Sequence, residues 1–363
     1  MIAQKKTFRQ QLNLLQVYRG IAAVLVLLFH GGEILSQNFN QPILLYDYLG
    51  HIGWIGVDFF FVLSGFIIFY IHKSDIGCPS SLRKFILKRF IRIYPFYWTV
   101  LICKLGLIIG FNYQDNFPNL IEVIKNILLY PQENRILGVS WTLSHEIFFY
   151  IMFCLLLVLG YKYFMPIGIL WLIGIFISWT LQFSIIKETP LLNLIFEEVN
   201  LEFLLGCFVA YSILNHQKLI WQYKRFLFCL AAFLLTLYFI VYQSELIDES
   251  TMTRIIWALP FGILVAASVV QELSQSLLNI PRFLIYIGNA SYSIYLTHGF
   301  IVSNLAKIIT KLNFISSSPL LTNMLALTIF MITVGLGCTV HSCIEKPLLK
   351  VLKGKLVLSK KVN

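Results

Sequence analysis

Arg19 and His30 stand near the two ends of an apolar stretch, YRGIAAVLVLLFHGG (18–32). A charge and a titratable ring are expensive inside lipid, so each calls for a function or a partner. Their spacing of eleven residues is about 3.06 helical turns, which puts both on one face, roughly 16 Å apart along the axis. That is near the length of a pantetheine arm. Phosphates held at the arginine end would place a thioester at the histidine end. Arginine suits phosphate because its rigid fork pairs bidentately. Histidine, with an ordinary pKa of about 6.5, suits a general base. The structural alternative is an arginine whose head reaches the interface and a hydrogen-bonded core histidine.

Other ionisable residues in apolar surroundings are Glu33, Asp58, Glu146, Glu197, Glu198, Glu202, His298 and His341. Four motifs frame the most informative of them. GWIGVDFFFVLSGFII (53–68) carries Asp58, Ser64 and small residues that allow close helix approach. LKRFIRIYPFYW (87–98) places Arg89 and Arg92 three apart on one helical face, with Pro95 able to kink it. SWTLSHEIFFY (140–150) opens a span with Ser140 as N-cap, then Trp141, His145 and Glu146, where a carboxylate gains from the helix N-terminus. GNASYSIYLTHGF (288–300) offers Ser291, Tyr292, Ser293, Tyr295 and His298 to neighbouring helices. Close packing, an aromatic interface belt and interhelical hydrogen bonds are the structural alternatives for these motifs.

The elements that must position these residues are membrane helices. The chain has 363 residues, is 58% hydrophobic and 12% charged, and has a mean hydropathy of +0.78. A soluble domain carries about a quarter charged residues. The fold class expected is an all-α integral membrane protein, a bundle of about ten transmembrane helices with both termini cytoplasmic. The spans are expected at 14–35, 51–72, 92–111, 141–160, 163–183, 192–214, 225–243, 254–270, 283–305 and 320–343, in a single domain over 1–363 with no appended soluble domain. With the N-terminus inside, inner segments hold 20 Lys and Arg and outer segments 6. This is the positive-inside bias, and it explains the net charge of +11 without a nucleic-acid partner. The seven cysteines form no CxxC pair and imply neither a disulfide framework nor a metal site. The segment 116–134 is expected as an outer amphipathic helix along the interface. This topology puts His30, Asp58, Glu146 and His298 in one outer layer, and Arg19, Arg89 and Arg92 in a cytoplasmic one.

In this order, Arg19-x10-His30, GVDFFFVLSGFII, KRFIRIYP, SWTLSHE, SYSIYLTH and a terminal EKP (345–347), the chain resembles the membrane acyltransferase-3 family of bacterial O-acyltransferases. The resemblance implies an enzyme that moves an acyl group, acetyl above all, from acyl-CoA to a hydroxyl of a surface polysaccharide or lipid-linked glycan. It implies multi-pass residence in the bacterial cytoplasmic (inner) membrane, acetyl-CoA as donor substrate with no permanently bound cofactor, and no metal. Implied partners are acyl-CoA, a carbohydrate or glycolipid acceptor, the lipid bilayer and glycan-assembly proteins. It carries the donor-binding roles to Arg19, Arg89 and Arg92, the catalytic histidine to His30 and a motif carboxylate to Glu146.

The mechanism expected has His30 taking the proton of the acceptor hydroxyl, with Asp58 or Glu146 holding its tautomer. Ser64, Trp141, Tyr292 and His298 are the substrate or oxyanion candidates. A covalent variant acylates His30 first. The rival class is a transporter or channel with an intramembrane His/Glu relay. It leaves the clustered arginines without a ligand, and the chain shows no paired repeats or matching broken half-helices.

Overall fold

The computed structural model describes residues 12–110, 118–243, 251–274, 279–312 and 318–358. Every regular element among the described residues is helical. Lipid imposes this, because backbone N–H and C=O groups there must pair within the segment or within a closed barrel. The longer helices are α1 (Asn13–Phe39), α2 (Ile55–His72), α3 (Leu82–Gly110), α4 (Leu120–Leu128), α5 (Trp141–Leu181), α6 (Val199–Gln243), α7 (Thr251–Leu273), α8 (Arg282–Asn289), α9 (Ser291–Lys311), α10 (Pro319–Val340) and α11 (Lys346–Leu358).

Among the described residues, seven stretches are long and apolar enough to cross a membrane: Asn13–Phe39, Gly50–Asp75, Pro79–Gly110, Gly138–Leu181, Pro190–Gln243, Ile256–Leu273 and Pro319–Gly354. Two of them are far longer than the roughly 20 residues one crossing needs. Each contains a break: Gly160 in α5 (φ 67°, ψ 177°) and His216 in α6 (φ −126°, ψ 29°). Both breaks lie at or next to the junctions between adjoining predicted spans.

The structure redraws three of those spans. The helix expected from 92 starts at Leu82, because the lysines and arginines of the preceding turn are themselves good helix formers. Arg89 and Arg92 therefore lie within α3 rather than ahead of it. The span expected over 192–214 is interrupted at Glu197, whose backbone is extended (ψ 139°), between the short helix Pro190–Phe196 and α6. The span expected over 283–305 is divided into α8 and α9. Neither is among the seven; His298, Asn304 and Lys307 make α9 too polar.

The described residues fall into two compact units. One takes those up to Ile71 with Leu201–Cys338, the other His72–Asn200 with those from Thr339 onward. In the first, α1 packs against α7, α8, α9 and α10. Its Leu27, Leu28, Leu35 and Phe39 are buried with Val302 and Ala306 of α9 and Ala326, Ile329 and Phe330 of α10. Its N-terminal end is tied to α7: Leu14 N–H donates to Glu272 Oε1 (2.9 Å), and the Tyr18 and Ser268 hydroxyls share a hydrogen bond (3.1 Å).

In the second unit, α4 opens with a reciprocal cap. Asn119 accepts from the Glu122 N–H, and the Glu122 carboxylate accepts from the Asn119 N–H. Leu120, Ile121, Ile124, Ile127 and Leu128 form an exposed apolar face, as an interfacial helix requires. The Asn126, Ile127 and Leu128 carbonyls accept hydrogen bonds from Tyr97 (2.7 Å), Trp98 (2.9 Å) and Tyr94 (3.1 Å). Trp98 lies about 18 Å short of Gly110 along α3, so α4 docks on the middle of that helix and not at its far end. Residues 116 and 117 of the expected helix lie outside the described residues.

The Asn134 amide and the Asn119 backbone hold the Glu122 carboxyl below the usual carboxylate range. A depressed pKa contributes stability above the unfolded value and loses it as pH falls through the folded one. Amide exchange at residues 120–123 is therefore expected to be slow at neutral pH and to accelerate, after correction for intrinsic rates, as acid protonates Glu122.

Candidate active site

In the first unit the site is built on α1 and α9. The rings of His30 and His298 stack with centroids 5.6 Å apart and planes 22° from parallel, and Phe29 meets His30 edge-on at 4.9 Å. His30 is half-buried and His298 is fully buried. His298 Nδ1 lies 2.6 Å from the Tyr295 carbonyl oxygen. Only an N–H can donate to a carbonyl, so the neutral ring carries its proton on Nδ1. Its Nε2 is then a lone pair, buried without a hydrogen-bond partner among the described residues. That tautomer makes His298 an acceptor.

Helix α1 is continuous from Asn13 to Phe39, so the calculated separation of roughly 16 Å between Arg19 and His30 holds along its axis. Arg19 is half-buried, and its Nη1 donates to Gln16 Oε1 (3.3 Å) one turn below. Asp58 is fully buried in the first turn of α2, with half-buried Ser64 farther along the helix. Tyr292 is half-buried at the start of α9.

In the second unit Tyr150 brings two predicted residues together. The Arg89 guanidinium lies 5.6 Å from its ring centroid and 5.4 Å from that of Phe85, while the Tyr150 hydroxyl donates to Glu146 Oε1. This corrects the assignment of Glu146 and Arg89 to opposite layers. The cause is the early start of α3, which carries Arg89 two turns into the helix. A second group joins Arg92 Nη1 to Glu345 Oε1 (3.3 Å) and His341 Nδ1 to Glu345 Oε2 (2.7 Å). Trp141 meets His145 edge-on at 5.7 Å, and His145 Nε2 pairs with Glu197 Oε2 (2.9 Å). Arg135, in the link before α5, has its pKa lowered by burial and partly restored by the Glu197 charge.

Tyr150 and Glu345 were not among the residues singled out for chemistry, and His145 and Glu197 were named separately but not as a pair. Tyr150 had a readable signal, standing four residues after Glu146 on the same helical face. Glu345 had none beyond its EKP motif, because its partner Arg92 is 253 residues away.

Residues 13–342 match the family profile described as "Acyltransferase domain". The chain is 27% identical over 338 residues to "Exopolysaccharide production protein ExoZ" of Rhizobium meliloti (strain 1021), covering 89% of this chain and 95% of that protein. It is 29% identical over 142 residues to an "Uncharacterized protein" of Haemophilus influenzae (strain ATCC 51907 / DSM 11121 / KW20 / Rd), covering 34% of this chain and 58% of that protein. No solved structure matches it.

Proposed function

The chain belongs to the acyltransferase family whose domain profile spans residues 13–342 and is an acyltransferase; on that premise we propose that it transfers an acyl group, acetyl in the first instance, from acyl-CoA to a hydroxyl of an exopolysaccharide or lipid-linked glycan. The observation that carries this reading is the stacked pair of His30 and His298 on α1 and α9, with Arg19 three turns along the face of His30. The exopolysaccharide acceptor is supported by similarity, over 89% of the chain, to a protein named for exopolysaccharide production.

His30 removes the proton of the acceptor hydroxyl as its oxygen attacks the thioester carbonyl. The tetrahedral intermediate then expels CoA, whose sulfur takes that proton back from the imidazolium. The His298 Nε2 lone pair accepts from a neighbouring hydroxyl of the acceptor, since the reacting hydroxyl has only the proton it gives to His30. Ser64, Tyr292 and Trp141 remain for oxyanion and substrate contacts, and Asp58 for orienting His30. Arg19, Arg89 and Arg92 take the donor phosphates, where the arginine fork is the favoured geometry. Glu146, the other candidate for orienting His30, accepts from the Tyr150 hydroxyl, whose ring lies beside Arg89.

The same reading places ten crossings in the bacterial inner membrane, counting α5 and α6 as two each about Gly160 and His216, and α8–α9 as one. It places both termini in the cytoplasm, and the donor enters from that side. The test is chemical analysis of exopolysaccharide from a deletion strain. Ester-linked acetyl is expected to disappear and to return with the wild-type gene but not with His30→Ala. Unchanged acetylation in the deletion strain would overturn the acceptor assignment.

A further inference from the structure

The EKP motif has no role in the transfer steps above, yet its glutamate sits in a built environment. Glu345 closes a π turn, His341–Glu345, between α10 and α11. Such turns insert one extra residue and recur at functional sites. Its side chain is 1% exposed, and both carboxylate oxygens are engaged, Oε1 by Arg92 and Oε2 by His341. A carboxylate buried to this degree is held by its partners, and it holds them in turn. The Arg92 side chain, by contrast, is 36% exposed, and its Nη1 donates to Glu345. One edge of a planar guanidinium is thus anchored while the group still reaches solvent. A flexible arginine must lose rotamer freedom to bind phosphate; a pre-anchored one has already lost it.

We infer that Glu345, held by His341 on the π turn, is a positioning residue that orients Arg92 to bind the phosphates of the acyl-CoA donor. This rests on the donor reading given above. Glu345 touches no reacting atom; it acts through Arg92.

The test measures binding of labelled acetyl-CoA to the purified full-length chain, with displacement by adenosine 3′,5′-bisphosphate and by S-acetylpantetheine, which carries the thioester but no phosphate. Losing one well-oriented charged hydrogen bond corresponds to about a tenfold change. Glu345→Gln is therefore expected to weaken acetyl-CoA and the bisphosphate about tenfold each and to leave S-acetylpantetheine within about twofold. Glu345→Asp, which keeps the charge, is expected to recover part of the loss. His341→Gln, which removes only the second anchor, is expected to show a smaller loss of the same kind, and it serves if Glu345→Gln fails to fold. Equal weakening of all three probes would mark a structural role and overturn the inference, as would no change in any. If Arg92→Ala weakens acetyl-CoA and Glu345→Gln does not, the positioning role fails alone. If the wild-type chain binds no acetyl-CoA, the donor reading fails and the positioning role fails with it.

Discussion

His30→Ala is expected to lower transfer from acetyl-CoA by ~10²–10⁴-fold, the usual contribution of a positioned general base. Donor affinity is expected to stay near the wild-type level, because the arginines that take the phosphates are intact. The chain is also expected to fold. His30 is half-buried, and the face of α1 that packs against α9 and α10 is carried by Leu27, Leu28, Leu35 and Phe39. The stacked partner supplies the control. His298→Ala removes a fully buried ring whose Nδ1 is committed to the Tyr295 carbonyl, so it is expected to reduce both activity and stability. If His30→Ala keeps activity within tenfold of wild type while His298→Ala does not, the base is His298 and the assignment reverses. Incubation with labelled acetyl-CoA and no acceptor separates the two chemical routes: label on His30 supports the covalent route, and its absence supports direct attack.

Gly206→Val is expected to destabilise the fold strongly. A Cβ at Gly206 would overlap the Val62 carbonyl oxygen, and one at Gly65 would overlap that of Phe203. The two glycines are reciprocal, so α2 and α6 approach backbone to backbone at one crossing. Glycine is required there for close approach. Helix association in lipid depends on such packing by small residues, since the hydrophobic effect does not drive it. Any side chain must push the helices apart, and overpacking alone costs about 1–3 kcal/mol or more. The valine variant is expected to accumulate poorly in membranes and to melt well below wild type in detergent. Gly335→Ala, where nothing lies within 4 Å of the added carbon, is the matched control and is expected to be neutral or slightly stabilising. A Gly206→Val protein with wild-type melting would refute the crossing.

The contrast between these two sites shows which features are readable from a chain. The importance of Gly65 was visible in GWIGVDFFFVLSGFII, a run of small residues among bulky ones. Gly206 lies in a region with no recognisable motif, and only the crossing identifies it. The three arginines and Glu146 were found from charge in apolar surroundings. Their partners Tyr150 and Glu345 were not, since a tyrosine and a glutamate near a helix end carry no cost that marks them.

The amino-acid sequence by itself determined the helical character, the membrane setting and the shared face of Arg19 and His30. These follow from hydropathy and from the 3.6-residue repeat, and both are properties of a single helix. Helix limits were less legible. Charged residues ahead of an apolar run extend a helix as readily as they end a span, so α3 begins at Leu82 rather than at 92. The tertiary structure alone decided which ring faces His30, which carboxylate anchors Arg92, and where α4 docks. Those contacts join residues tens to hundreds of positions apart, and their strength comes from packing between helices that no local pattern encodes.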